Sequence, residues 1–268
     1  MTDGLFYYTP EADPYFNMAF DTWLFEAFAE SVQPAPALLR LYSWSRPAVT
    51  IGYNQRADEV VDIAGLPENT PVIRRITGGR AIYHDESEIT FSLAAELSAL
   101  PTAARSLSGA NALVSETIVD ILRGVGVEAV WARHSDDGFR KQAGKRVRSC
   151  FDSVSRYEIV AGGQKVVGIA QRRRGDCLIQ QGSIKINGVT ANPAVRQAGR
   201  AVPVAVRPLT DAEAGLTAEA VRGVFREAFV GRLEIDFQER GMTSEVRQKL
   251  AFVEQNLIEF PLRKREFV

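Results

Sequence analysis

The sequence predicts an α+β fold: a mixed, mainly antiparallel sheet flanked by helices. Three observations lead to it. Short segments rich in β-branched and aromatic residues follow one another between residues 38 and 94, each bounded by turn residues. Two long segments repeat apolar residues at helical spacing. Clean strand–helix–strand alternation is scarce, which argues against a doubly wound parallel sheet.

The elements follow in order. Asp13 is a side-chain cap and Pro14 suits a first helical turn, so residues 13–30 read as a helix burying Phe16, Phe20, Trp23, Leu24 and Phe28. Strands are expected at 38–44, 48–53, 71–77, 81–83 and 89–94. A second helix covers 107–124, with Leu113, Ile118, Ile121 and Leu122 among its apolar positions. A strand at 127–132 precedes a polar loop, 135–148, rich in Asp, Gly, Lys and Arg. Residues 155–160 and 165–171 read as a hairpin around Ala161-Gly162-Gly163-Gln164, and 177–186 as the next strand. From Pro208 the chain turns helical, with Thr210 or Asp211 as cap and Ala220, Val221, Val224, Phe225 and Phe229 as the apolar stripe. A last helix spans 243–256. Residues 1–205 are expected to form the main core. Residues 206–268 are too few for a second core and are expected to pack on it as a helical extension.

Composition narrows the function. At 268 residues, 46% hydrophobic and net charge -1, the chain has ample core and no general affinity for nucleic acid. No run approaches the roughly 18 apolar residues of a membrane span. Residues 1–10 lack a basic start and an apolar stretch, so no secretory signal is expected. With two cysteines, a reducing cytoplasm is the expected compartment, although a Cys150–Cys177 pairing stays open. A monomer is expected, since no long apolar seam is visible. No Cys/His cluster has metal-ligand spacing, and no GxxxxGK[ST] or GxGxxG loop occurs, so no metal site and no cofactor are expected.

Several residues carry possible chemistry. Cys150 lies amid Lys141, Lys145, Arg146 and Arg148, where positive charge favours the nucleophilic thiolate. Gly78-Gly79 between strands is either a tight turn or a place where backbone amides approach a ligand. Arg75 and His84 face that turn from two strands, and His84 beside Asp85 is either a structural hydrogen bonder or part of the site. Lys165 opens a strand of apolar neighbours. It either snorkels to solvent or, partly buried, depresses the pKa of a nearby thiol. An ordinary cysteine is only about 3% thiolate at pH 7, so a two-unit drop ionises most of it. Cys177, in an apolar strand, reads as an inert core thiol. Arg172-Arg173-Arg174 reads as a solvated hairpin end. With Arg140 and the basic residues near Cys150 it would instead form a rim for an acidic partner.

Three separated blocks resemble the biotin/lipoate protein ligase superfamily. Arg74-Arg75-Ile76-Thr77-Gly78-Gly79-Arg80 through His84-Asp85 is similar to its RRxTGGR…HD signature. Lys165-Val166-Val167-Gly168-Ile169-Ala170-Gln171 resembles its KxxGSAQ strand, and Phe16-Asn17-Met18-Ala19-Phe20-Asp21 its NMAxDE helix. The resemblance covers residues 6–235. Ser149-Cys150-Phe151-Asp152 resembles the block of the cysteine-dependent octanoyltransferase branch, which the ATP-using lipoate ligases generally lack. Those ligases carry a third glycine where Arg80 stands, and Gly-Asn after His-Asp where this chain has Glu86-Ser87-Glu88. Ile169 replaces the usual serine of the lysine strand.

The resemblance implies a ligase-like catalytic domain and a covalent mechanism without ATP. Cys150 would take octanoyl from acyl carrier protein, and a lysine of the glycine cleavage H protein or another lipoyl domain would receive it. Lys165 would stabilise the thiolate, and Arg75, Gly78, Gly79, His84, Gly168 and Ala170 would bind substrate. An ATP-dependent lipoate ligase, an octanoyl amidotransferase between lipoyl domains, and a non-catalytic acyl-carrier binding module remain alternatives. Hairpin register places Lys165 opposite Val160, with Cys150 ten residues further back, about 33 Å along an extended strand. Closeness of Cys150 and Lys165 is therefore implied by the resemblance alone.

Overall fold

The computed structural model describes residues 2–30, 35–86, 88–131, 159–162, 164–185, 196–197, 200–201 and 217–262. Its centre is an eight-stranded sheet, flanked by helices on both faces. Chain order gives β1 (Thr2–Ala12), α1 (Pro14–Ala29), β2 (Ala37–Trp44), β3 (Ala48–Ile51), α2 (Ala57–Val60), β4 (Val72–Arg74), β5 (Ile82–His84) and β6 (Glu88–Glu96). There follow α3 (Leu107–Gly124), β7 (Ala129–Trp131), β8 (Ile159–Ala161), β9 (Gln164–Arg174) and β10 (Cys177–Lys185). A short ladder, β11 (Arg196–Gln197) with β12 (Arg200–Ala201), precedes α4 (Ala218–Leu233), β13 (Ile235–Glu239) and α5 (Ser244–Glu259).

Sheet order is β13-β1-β2-β6-β10-β9-β8-β7, and β4-β3-β5 form a separate small sheet. Within the large sheet every pairing from β2 across to β7 is antiparallel, whereas β1 runs parallel to both β2 and β13, and in the small sheet β3 runs parallel to β4 and antiparallel to β5. The predicted α+β class and mainly antiparallel sheet are thus observed.

The helices begin where side-chain caps allow. Asp13 accepts from the Tyr15 amide at 2.9 Å, with Pro14 in the first turn. Ser106 caps α3 through the Gly109 amide, Thr217 caps α4 and Thr243 caps α5. α3 has the predicted span. The caps proposed at Thr210 and Asp211 lie outside the described residues. In α4 the buried stripe is Ala218, Val221, Phe225, Phe229 and Leu233, whereas Ala220 and Val224 are exposed, correcting two positions of the predicted stripe.

Strand alternation sorts the core. Leu39 and Leu41 of β2, Phe91 and Leu93 of β6 and Ile184 of β10 face α3 and α4. Leu38, Ala94 and Ile179 point the other way, against Phe20, Leu24 and Phe28 of α1 and Leu250 of α5. The second face also carries a stripe of polar groups, including Arg40, Tyr42, Thr90, Ser92, Gln181 and Ser183, all buried.

Four strands have no counterpart in the sequence reading: the two-residue β11 and β12, and the longer β1 and β13. β1 escapes because Thr9-Pro10 breaks its pattern. Its register shifts between Thr9 and Ala12, so Pro10 falls in an irregularity of the ladder, where a missing N–H is tolerated. β13 sits between two helices and lies beside the N-terminal strand, more than 220 residues away in sequence.

Candidate functional site

Six of the eight sequence-predicted residues, Arg75, Gly79, His84, Lys165, Gly168 and Ala170, line one cavity of about 230 Å3, and Gly78 is not among its lining residues. β9 contributes Lys165, Gly168, Ile169 and Ala170. β10 contributes Gln181, Gly182 and Ser183. The small sheet and its turn contribute Thr50, Arg75, Gly79, Arg80, Ile82 and His84. Met18, Tyr42, Thr90 and Asn111 complete the wall. Gly168 pairs with Ser183 and Ala170 with Gln181, so the smallest side chains of β9 lie beside the polar residues of β10 and leave room above them. Lys165 is 5% exposed, which resolves its two readings in favour of burial. It lies opposite Val160, as the hairpin register requires, with a register shift between Ile159 and Val160. Cys150 and the basic loop around it lie outside the described residues.

The Gly78-Gly79 turn is shaped by the two arginines before it. Arg74 donates to the carbonyls of Gly52, Tyr53, Gln55 and Leu262. Arg75, nearly fully buried, donates to Gly78 O at 2.5 Å, Arg80 O at 2.8 Å and both oxygens of Thr50. Its guanidinium therefore holds protein backbone, and what it offers the cavity is the shape of the turn. Gly79 has φ +87, a conformation side chains rarely adopt, and a Cβ there would meet the Arg75 guanidinium at 2.8 Å. Gly52 is required for the same reason: its Cβ would lie 2.0 Å from Gly79 O.

His84 meets Thr50 Oγ1 through Nε2 at 2.7 Å and Glu88 Oε1 through Nδ1 at 2.7 Å, and its ring stacks on Trp44 at 4.0 Å. Burial lowers its pKa, opposed by Glu88, so the imidazole is neutral at neutral pH. Burial pushes the Glu88 carboxyl up, but His84 and Lys185 outweigh it and hold the group far below the usual carboxylate range. Cys177 is 5% exposed, with its thiol directed at Arg174 O, and burial raises its pKa. The inert reading of Cys177 fits this environment. Arg172 departs from the solvated-rim reading. It stacks on Tyr53 at 3.7 Å and donates to Ile76 O.

The residues of the Asn17-to-Asp21 block act from beneath. Arg40, fully buried, pairs with Asp21 at 3.0 Å, donates to Asn17 Oδ1 at 2.5 Å and lies over the Phe20 and Tyr42 rings. Asp21 Oδ2 also accepts from Tyr42 at 2.7 Å and Gln181 at 2.5 Å, and Gln181 in turn accepts from Thr77 at 2.5 Å. One network thus joins α1, β2, β10 and the residue before the Gly-Gly turn. Arg40→Met leaves the Asp21 carboxylate buried without its cation, so a loss of about 3–5 kcal/mol is expected by urea denaturation. A loss below about 1 kcal/mol would show that the pair contributes no net stability.

Thr50, Gln181 and Ser183 went unnoticed in the sequence. A signal existed: Gln180-Gln181-Gly182-Ser183 interrupts an otherwise apolar strand, and Thr50 stands between Val49 and Ile51. Ser183 is 3% exposed, and its hydroxyl has no partner among the described residues. Chemically, the cavity joins small and apolar walls to a buried cation, a combination suited to an acyl chain ending in a polarisable carbonyl.

Comparison with known proteins agrees with this geometry. Residues 13–222 match the family described as the lipoyl protein ligase A/B catalytic domain. Octanoyltransferase LipM of Kyrpidia tusciae is 34% identical over 255 residues, 90% of this chain and 91% of that protein. Octanoyltransferase LipM of Moorella thermoacetica is 34% identical over 177 residues, 66% of this chain and 62% of that protein. Among solved structures, a bipartite lipoate protein ligase of Thermoplasma acidophilum, studied with its E2 lipoyl domain, superposes with TM-score 0.69 at 21% identity over 100% of both chains. Family match, relatives and shared fold lead to one conclusion: the chain belongs to the lipoyl protein ligase A/B catalytic domain family.

Proposed function

We propose that this octanoyltransferase works through a thioester on Cys150. Octanoyl transfer is the activity named for its full-length relatives, and the chain is an acyltransferase of that kind. The observation that carries the reading is the cavity itself, where the small side of β9, at Gly168 and Ala170, lies beside the buried Lys165.

In the first step the Cys150 thiolate attacks the carbonyl of octanoyl-acyl carrier protein. A C–S bond to the enzyme forms, the bond to the carrier sulfur breaks, and the carrier leaves as a thiol after taking a proton. In the second step a lysine amine of the glycine cleavage H protein or another lipoyl domain attacks the enzyme thioester. A C–N bond forms, the nitrogen loses a proton, and Cys150 departs as thiolate. Thioester exchange is nearly isoenergetic and amide formation is downhill, so no ATP enters. Splitting the transfer in two is covalent catalysis. Lys165 stabilises the thiolate and orients the acyl carbonyl. Burial of each CH₂ of the chain contributes roughly 0.8 kcal/mol. Gly79, Gly168 and Ala170 bound the acyl chain, while Gly78, Arg75 and His84 act on it through the walls they hold. A free thiolate requires a reducing compartment, which supports the cytoplasm.

The test offers the pure protein three donors: octanoyl-acyl carrier protein, free octanoate with ATP, and octanoylated H protein. Octanoyl-acyl carrier protein with an acceptor lipoyl domain should yield octanoylated acceptor. Free octanoate with ATP and Mg²⁺ should yield none. Ligation from the free acid would replace transfer by an ATP-dependent ligase, and inertness toward both carrier and octanoylated H protein would favour a binding module.

A further inference from the structure

We propose that Glu88 is a positioning residue for acyl selection: acting through His84, Thr50 and Arg75, it fixes the Gly78-Gly79 turn that brings Gly79 to the cavity wall. The inference rests on the octanoyl-transfer reading for its substrate, and on the geometry for its mechanism.

The chain of contacts is continuous. Glu88 is completely buried and its carboxylate is compensated by Lys185, whose Nζ lies 2.5 Å from Oε2 and also donates to Tyr83 O. Thr90 donates to Oε1 at 2.8 Å. An ionised carboxylate only accepts, so the His84 nitrogen 2.7 Å from it, Nδ1, carries the hydrogen. A neutral imidazole then has a bare Nε2, and the Thr50 hydroxyl donates to it. With its hydrogen so committed, Thr50 Oγ1 turns its lone pairs to Arg75 Nη1, 3.2 Å away. The remaining donors of Arg75 hold the Gly78 and Arg80 carbonyls. Glu88 sets the direction of the links through His84 to Thr50, and Arg75, which only donates, then meets an Oγ1 lone pair.

The groups facing His84 reinforce this state. Arg75 and Lys185 both disfavour a protonated imidazole, and Trp44 covers one face of the ring. Asp85 lies 3.7 Å from Lys185.

Glu88→Gln tests the link. Lys185 claims the single amide oxygen, the NH₂ turns to Nδ1, and the hydrogen of His84 moves to Nε2. Thr50 Oγ1 then accepts from both His84 Nε2 and Arg75, and its hydroxyl hydrogen loses its acceptor. The chain has two histidines, so ¹⁵N-histidine NMR reads both imidazoles, and His134→Gln assigns them. The expected result is an Nδ1–H tautomer for His84 in the native protein and Nε2–H in Glu88→Gln. Octanoyl and dodecanoyl donors are compared in parallel. Glu88→Gln and Thr50→Val should each erode the octanoyl preference by about 10-fold, non-additively, with Thr50→Ser restoring it. An Nε2–H tautomer in the native protein overturns the proposal. So does a variant whose losses are equal for both chain lengths, which marks a purely structural role. If the native protein transfers no octanoyl at all, the functional reading fails instead, and the tautomer measurement still decides the link.

Discussion

Cys150→Ala will abolish both the octanoyl adduct and transfer to the acceptor, while Cys177→Ala will retain both. Intact-mass measurement after incubation with octanoyl-acyl carrier protein should show one added octanoyl group in the native chain and in Cys177→Ala, and none in Cys150→Ala. Removing a covalent nucleophile eliminates the two-step path, and the remaining activity is that of positioning alone. A fall of at least about 10³-fold in turnover is therefore expected. The contrast between the two thiols is physical. Cys177 is buried in a strand with its sulfur directed at a carbonyl and its pKa raised, so little of it is thiolate at neutral pH. Retention of the adduct in Cys150→Ala would move the nucleophile elsewhere.

Lys165→Met should have the second largest effect. The substitution keeps an unbranched side chain on β9 and removes the charge from the cavity wall. On the proposed role of Lys165, the thiolate and the tetrahedral oxyanion would lose their stabilising partner, and a drop of about 10²–10³-fold in transfer is expected. Alkylation of Cys150 by iodoacetamide across pH separates this role from a packing role. The rate inflection should move to higher pH in Lys165→Met, because loss of a neighbouring positive charge raises a thiol pKa. An unchanged inflection would assign Lys165 to the carbonyl rather than to the sulfur.

Local signals carried much of the fold. Asp13, Ser106 and Thr243 sit where their short polar side chains cap backbone amides, and α1, α3 and α5 begin at those residues. The hairpin of β8 and β9 also formed in the register its glycines imply. Polar partners across the sheet were not legible. Thr77 and Gln181 are 104 residues apart, and Gln181 and Asp21 are 160 apart, yet each pair shares a hydrogen bond. Nothing in the spacing of Gln181 distinguishes a cavity residue from a solvent-facing one.

The sequence by itself determined the α+β class, the starts of α1, α3 and α5 and the three blocks that place the chain in its family, because caps, glycines and periodicity act over a few residues. Only the tertiary structure decided that β1 and β13 join the sheet, that Arg75 holds a turn, and that Lys165 is buried beside Gly168 and Ala170. Strand pairing and the burial of charge depend on neighbours brought together from distant parts of the chain, and their energies arise only once the sheet has closed around them.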